Sequence, residues 1–272
     1  MTLWVDGELV EAGRPVLRAD DHGVTVGDGV FETMKVVNGR PFALSRHLDR
    51  LVASAAGLGL PVDLDTIRAG VERVLEVDGQ PRSRLRVTVT GGPAPFGSDR
   101  GDAPPTVIIA TAPLADWPPT ADVVVVPWTR NERAATAGLK TTSYADNVIA
   151  LRYAHERGAA EAIFGNTRGE LCEGTGSNVF VGIDGELITP PLDSGCLSGI
   201  TRDLIVEWLG DVAERPLPVA ALAAADEAFL ASTTRDVQPI RAVDGRVLPA
   251  APGPLTTRAA EVFAQRSAEV DT

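Results

Sequence analysis

Gly138-Leu139-Lys140-Thr141-Thr142-Ser143-Tyr144 is followed by Cys172-Glu173-Gly174-Thr175-Gly176-Ser177-Asn178-Val179-Phe180, and then by Leu197-Ser198-Gly199-Ile200-Thr201-Arg202. The pivot of these three stretches is Lys140. Of the 25 basic residues only Lys35 and Lys140 are lysines, so arginine holds nearly every site where charge alone would serve. Arginine keeps its proton in a protein, whereas a partly buried lysine amine can lose it and attack a carbonyl. A surviving lysine therefore invites a chemical reason, although a leftover surface lysine fits the same composition. The second stretch is an acid opening a glycine-rich turn into a strand, and the third is a turn leading into a helix.

An amine, a carboxylate and a helix N-terminus are the three groups needed to hold pyridoxal phosphate: one for its aldehyde, one for its ring nitrogen, one for its phosphate. On these residues the chain resembles the class IV aminotransferases, the pyridoxal-phosphate enzymes of fold type IV. That family includes branched-chain and D-amino-acid transaminases and aminodeoxychorismate lyase. The resemblance runs from Leu3 to about Ala264. It implies an α+β fold with an N-terminal two-layer α/β domain and a larger, strand-rich C-terminal pseudo-barrel domain that binds the cofactor.

The chain has 272 residues, 44% of them hydrophobic, enough for a sizeable core in one large domain or two modest ones. A net charge of -12 argues against a nucleic-acid surface, which needs clustered positive charge. A small-molecule ligand is expected instead. Cys172 and Cys196 are too few for a disulfide framework and read as core residues. With His22, His47 and His155 they show no metal-ligand spacing, so no metal is expected. The N-terminus lacks a signal-peptide pattern, and no uncharged apolar stretch is long enough to span a membrane, which makes the cytoplasm the default expectation.

Turn dipeptides organise the first half. Asp6-Gly7 splits Leu3 to Val10 into a short hairpin, and Asn38-Gly39 closes a strand that begins near Val26. Gly27 and Gly29 in that strand allow a close backbone approach or simply a turn. Ser45 is placed to cap a helix carrying Leu48, Leu51, Val52 and Ala55, with Gly57 as its stop. A second helix is expected at about 65–77, then strands at 84–90 and 106–112. Pro113 to Pro119 is the best linker, dividing residues 1–117 from 118–272. Beyond it come a strand from Val123, a helix at 146–157, hairpins through Asn166-Thr167-Arg168-Gly169 and Asp184-Gly185, and helices at about 202–209, 219–225 and 256–268.

The resemblance implies a role for each site residue. Lys140 would bond the cofactor aldehyde and move the substrate proton, and Glu173 would accept a hydrogen bond from the protonated pyridine nitrogen. Backbone N–H groups of Ile200 and Thr201 would meet the phosphate, with Thr233 of Ser232-Thr233-Thr234 adding a hydroxyl. Arg50, in His47-Leu48-Asp49-Arg50-Leu51, matches a phosphate-binding arginine, while composition alone also allows a solvated one. Tyr144 matches a tyrosine that hydrogen-bonds the ring oxygen, although one residue is missing between it and the lysine. A homodimer is the family default.

These residues serve the cofactor and do not select a reaction. Thr90-Gly91-Gly92 lacks the arginine, and Phe31 replaces the tyrosine, of D-amino-acid transaminases. The Gly-Gly-Asn spacing of branched-chain enzymes is absent, although Arg86 matches an arginine of that group. Gly27-Asp28-Gly29-Val30-Phe31-Glu32-Thr33 and the compact length look most like aminodeoxychorismate lyase, which converts 4-amino-4-deoxychorismate to 4-aminobenzoate and pyruvate. A branched-chain or D-amino-acid transaminase is the alternative, and a non-enzymatic binding scaffold fits less well. Phe31 and Arg86 are candidate substrate contacts, with Arg86, Arg100, Arg130 and Arg235 competing to hold carboxylates.

Overall fold

The computed structural model describes residues 1–11 and 13–270. The chain divides into two compact units, one comprising Met1–Ala115 and Leu139–Tyr144, the other Asp116–Gly138 and Ala145–Glu269. The division falls at 115/116 and is discontinuous, unlike a single boundary at 117/118. The lysine segment belongs to the first unit because its backbone pairs there: Phe31 donates its N–H to the Lys140 carbonyl at 3.1 Å, and Val30 and Thr141 form a β-bridge.

The first unit contains strands β1 (Leu3–Val5) and β2 (Glu8–Val10), a short helix α1 (His22–Thr25), then β3 (Gly29–Val37) and β4 (Arg40–Pro41). Helices α2 (Leu44–Leu58) and α3 (Leu64–Asp78) follow, then β5 (Arg82–Thr90) and β6 (Thr106–Ala112). Its antiparallel sheet runs β2-β1-β6-β5-β3-β4. Period-2 alternation sends Val30, Met34 and Val36 of β3 and Leu85, Val87 and Val89 of β5 into one core with Leu48, Leu51, Ile67, Val71 and Val74 of the helices. Each fully buried leucine or valine contributes roughly 1.5–3 kcal/mol. This is the expected two-layer arrangement.

Two local expectations fail at α2. Ser45 is not its cap: the helix starts from Ala43, whose backbone is left-handed (φ 52°) and whose carbonyl accepts the His47 N–H, so Ser45 stands inside the first turn. Gly57 is not its stop either. The helix continues to Leu58 and closes on left-handed Gly59. A Cβ at Gly57 would come within 2.7 Å of the Leu139 side chain, so this glycine makes room for the segment that carries the lysine.

The second unit holds β7 (Ala121–Arg130), α4 (Ala145–His155), β8 (Glu161–Asn166), β9 (Leu171–Gly174), β10 (Asn178–Ile183) and β11 (Glu186–Thr189). It continues through α5 (Ile200–Leu209), β12 (Ala213–Glu214), β13 (Glu227–Ser232), β14 (Asp236–Val243), β15 (Arg246–Val247) and α6 (Pro254–Ser267). The helix expected at about 219–225 is a 3-10 helix, Val219–Ala224. The strands form a curled nine-stranded sheet in the order β12-β11-β10-β13-β14-β7-β8-β9, with β15 beside β14. The pairs β14–β7 and β7–β8 are parallel. Among the described residues no helix is long and apolar enough to cross a membrane, and no cluster of three or more His, Cys, Asp or Glu could hold a metal ion.

Candidate functional site

In the first unit the lysine segment lies along the opening of β3. Thr142 donates its N–H to the Gly29 carbonyl at 2.8 Å, and Thr142 and Ser143 both donate their hydroxyls to the Gly27 carbonyl at 2.9 Å. Gly27 has φ +70°, and a Cβ there would sit 2.9 Å from the Ser143 hydroxyl. The two readings of this glycine are therefore joined, since it turns the chain and admits a neighbour. Ser54 of α2 also accepts the Lys140 N–H at 3.1 Å, a contact that no local sequence pattern announces.

The lysine side chain is half-buried, and its Nζ lies 4.5 Å from the centre of the Phe31 ring. The Arg86 guanidinium lies 3.8 Å from the same centre. Tyr144 meets Phe31 edge-on, with centroids 5.1 Å apart. Phe31 and Arg86 share the sheet face opposite the helices because their parity differs from that of the core residues on each strand. Phe31, Arg86, Lys140 and Tyr144 are thus one cluster. Burial lowers the pKa of the Arg86 guanidinium, with Arg84 adding to the effect and Tyr144 opposing it.

Arg50 occupies the helix-facing side. Its Nε and Nη2 donate to both oxygens of Glu32 at 2.8 and 2.7 Å, and His47 Nδ1 lies 2.6 Å from the same carboxylate. Burial pushes the Glu32 carboxyl up, but the charge and hydrogen bonds of Arg50 and the hydrogen bond from His47 overcome it and hold the pKa at about 2. Arg50 is therefore inward, not the solvated arginine that composition also allowed, and one edge of its fork is committed to a carboxylate.

In the second unit Glu173 on β9 is oriented by two donors. Its Oε1 accepts from Arg130 Nε and its Oε2 from the Leu197 N–H, each at 3.0 Å. Arg130 in turn stacks over Phe164, 4.2 Å from its centre. Asn178 joins the same region by donating from Nδ2 to the Leu197 carbonyl at 2.8 Å, and its Oδ1 abuts Gly199 where a Cβ would collide with it. The helix α5 consequently begins from a residue with no side chain to cap it. The first N–H groups of a helix lack intrahelical acceptors and carry its positive dipole end. Thr201 Oγ1 is buried and has no partner among the described residues. Uncapped donors beside an unsatisfied buried hydroxyl suit a phosphate. Thr233 is buried in the turn between β13 and β14, which Arg235 closes by donating its N–H to the Ser232 carbonyl. Cys172 and Cys196 are buried, which raises both thiols, Cys196 to about 11.

The four competing arginines now separate. Arg100 is bound by both oxygens of Asp28, Arg130 by Glu173, and Arg235 by Glu161. Arg86 alone among them has no carboxylate partner within the described residues; its Nε donates to the Thr88 hydroxyl at 3.2 Å.

Known proteins narrow what this arrangement serves. A D-alanine aminotransferase of Listeria innocua is 30% identical over 97% of this chain and 96% of its own length. A bifunctional aminodeoxychorismate lyase / D-amino acid transaminase of Mycobacterium tuberculosis is 32% identical, again over 97% and 96%. Among solved structures, the branched-chain aminotransferase from Thermoproteus uzoniensis with norvaline superposes with a TM-score of 0.89 at 30% identity, covering 100% of this chain and 96% of that one. The model of the family described as amino-transferase class IV matches residues 29–243, a span that takes in β3 with Phe31, the lysine segment, Glu173 and the start of α5, and the chain belongs to that family.

Proposed function

We propose that the protein is a pyridoxal-phosphate-dependent transaminase that moves the amino group of a monocarboxylic α-amino acid to a 2-oxo acid. The observation that carries this reading is Arg86, the candidate arginine without a carboxylate partner among the described residues, set against the same Phe31 ring as the Lys140 amine. A substrate with one carboxylate and one amine needs one such guanidinium and one such amine.

When bound, pyridoxal phosphate supplies an aldehyde that condenses with amines and a ring that withdraws electrons from the bond to be broken. Lys140 would hold the aldehyde and carry the proton leaving the substrate α-carbon. Glu173, held by Arg130 and Leu197, would accept the ring N–H with its remaining lone pairs. Ile200, Thr201 and Thr233 would hold the phosphate, and Arg50 keeps the phosphate role matched from its motif. Tyr144 is assigned to the ring oxygen. Arg86 would hold the substrate carboxylate, and the Phe31 ring that lies against both Arg86 and Lys140 attracts their cationic forms.

A second reading, aminodeoxychorismate lyase, keeps support from the bifunctional relative and from the Gly27 to Thr33 segment. Its substrate carries two carboxylates, and it would call on a second arginine to release an acid. The deciding experiment gives purified protein L- and D-amino acids with pyruvate or 2-oxoglutarate, and in parallel 4-amino-4-deoxychorismate alone. Oxo-acid-dependent amino transfer that falls about 10–150-fold in kcat/KM in Arg86→Ala is the expected result, the range for a hydrogen bond to a charged group. Release of 4-aminobenzoate and pyruvate without amino transfer would replace the transaminase reading by the lyase.

A further inference from the structure

We propose that the buried Glu161–Arg235 ion pair is a positioning device that holds the turns bearing Glu173 and Thr233 in the geometry that binds the cofactor, an inference that rests on the pyridoxal-phosphate reading above. Arg235 invites a substrate role by sequence, but its side chain is 7% exposed and its Nη2 donates to Glu161 Oε2 at 2.7 Å, with that carboxylate only 1% exposed. Its Nη1 donates to Gln238 Oε1 at 2.8 Å, and the guanidinium lies 3.9 Å from the centre of the Trp117 ring. A guanidinium so engaged is fixed in place.

The pair reaches both turns. Glu161 Oε1 accepts the Thr175 N–H at 3.0 Å and also the Thr175 hydroxyl, while Oε2 lies 3.4 Å from the Ser177 hydroxyl. These residues stand two and four positions beyond Glu173. Gly174 has no room for a side chain, since a Cβ would stand 3.3 Å from Glu161 Cγ and 2.5 Å from Ser177 Oγ. On the other side, the Arg235 N–H closes the turn that contains Thr233 by bonding the Ser232 carbonyl at 3.1 Å. From Ser177 the chain enters Asn178, whose side chain spans Leu197 and Gly199 at the start of α5. One buried ion pair therefore connects the ring acid, the turn hydroxyl and the helix N-terminus assigned to the phosphate.

Stability alone does not account for the pair. Removing two charges from water costs as much as their attraction returns in many buried pairs, and well-packed apolar residues often serve the fold equally. What apolar residues cannot supply is a set of directed acceptors for Thr175 and Ser177. The orientation of the two turns is the property that the charged pair provides.

The test compares cofactor affinity with fold stability in cofactor-stripped protein. Pyridoxal phosphate is titrated by its visible absorbance and by quenching of tryptophan fluorescence, and melting is followed by circular dichroism. Glu161→Gln and Arg235→Gln each leave a buried group unmatched and are expected to lower both stability and affinity. The double variant Glu161→Met with Arg235→Met removes both charges. It is expected to melt close to the parent yet bind the cofactor at least 10-fold more weakly, with an altered pH dependence of the visible band. A double variant that melts like the parent and binds like the parent overturns the inference. If it does not fold, Glu161→Asp decides: the shorter acid stays paired with Arg235 but withdraws from Thr175, so about 10-fold weaker binding is expected and unchanged binding overturns the proposal. Failure of the parent to take up pyridoxal phosphate would instead refute the reading on which the inference rests.

Discussion

Replacing Glu32 by Gln should expose how much of the first unit depends on one buried charge. The Glu32 side chain is fully buried, with two donors from Arg50 and one contact from His47. Its pKa of about 2, against an ordinary 4.5, corresponds to a preference for the charged form of about 3 kcal/mol at roughly 1.4 kcal/mol per pH unit. The folded pKa lies below the unfolded one, so this stability is fully present above about pH 4.5 and is lost as pH falls through about 2. Titration between those limits leaves less than half of it at pH 3. His47 acts in the same direction. Burial holds its pKa below 6.5 despite Glu32, so its contribution to stability is present above that value and declines as pH falls below it.

In Glu32→Gln the Arg50 guanidinium loses its anion while remaining 12% exposed, which costs about 3 kcal/mol at pH 7, the lower end for breaking a buried pair. The assay is urea unfolding of cofactor-free protein, followed by circular dichroism at pH 7, 5, 4 and 3. The gap between parent and variant should narrow by about 2 kcal/mol between pH 7 and pH 3. A gap that stays constant across that range would refute the reasoning, because it would mean that the carboxylate is not ionised in the fold or that its ionisation does not stabilise it.

Borohydride reduction and peptide mapping should find the cofactor on Lys140, and Lys140→Ala should abolish amino transfer and lyase activity alike; label on Lys35 would remove the lysine from its role. Thr201→Val should leave the melting temperature of the cofactor-free protein unchanged or slightly higher, since Thr201 Oγ1 has no partner to lose among the described residues, while weakening pyridoxal phosphate binding by about 1 kcal/mol, roughly 5-fold. Equal effects on both measurements would make that hydroxyl structural.

Much of this was legible because some residues carry their reason locally. Asp6-Gly7, Asn38-Gly39 and Asp184-Gly185 take positive φ at both positions, and each closes the hairpin that its sequence promised. Lys140 stood out because so few lysines remain. The strands β13 and β14 gave no such sign: their connection is Thr233-Thr234-Arg235 with Asp236 itself at φ +58°, so no glycine or proline marks the turn. Gly57 misled because a glycine near a helix end looks like a stop, whereas here it answers to Leu139 far along the chain. The Glu161–Arg235 pair spans 74 positions and no local pattern could match its members.

The arginines show most clearly where sequence reading ends. In a chain of net charge -12, acids outnumber bases, so an arginine near any site readily finds a carboxylate. Residue type could not separate Arg86 from Arg100, Arg130 and Arg235, because all four have the same fork. Strand register does separate them. Arg86 lies opposite Thr33 on one side and Ala110 on the other, with Arg84 and Thr88 as its same-face neighbours along β5. None of these is acidic, so the sheet surrounds this guanidinium with no anion of its own. On the proposed reading its desolvation is offset by the carboxylate of a substrate. The alternation that builds the core of the first unit thereby also sets, on the opposite face, the one of these four arginines that has no carboxylate partner among the described residues.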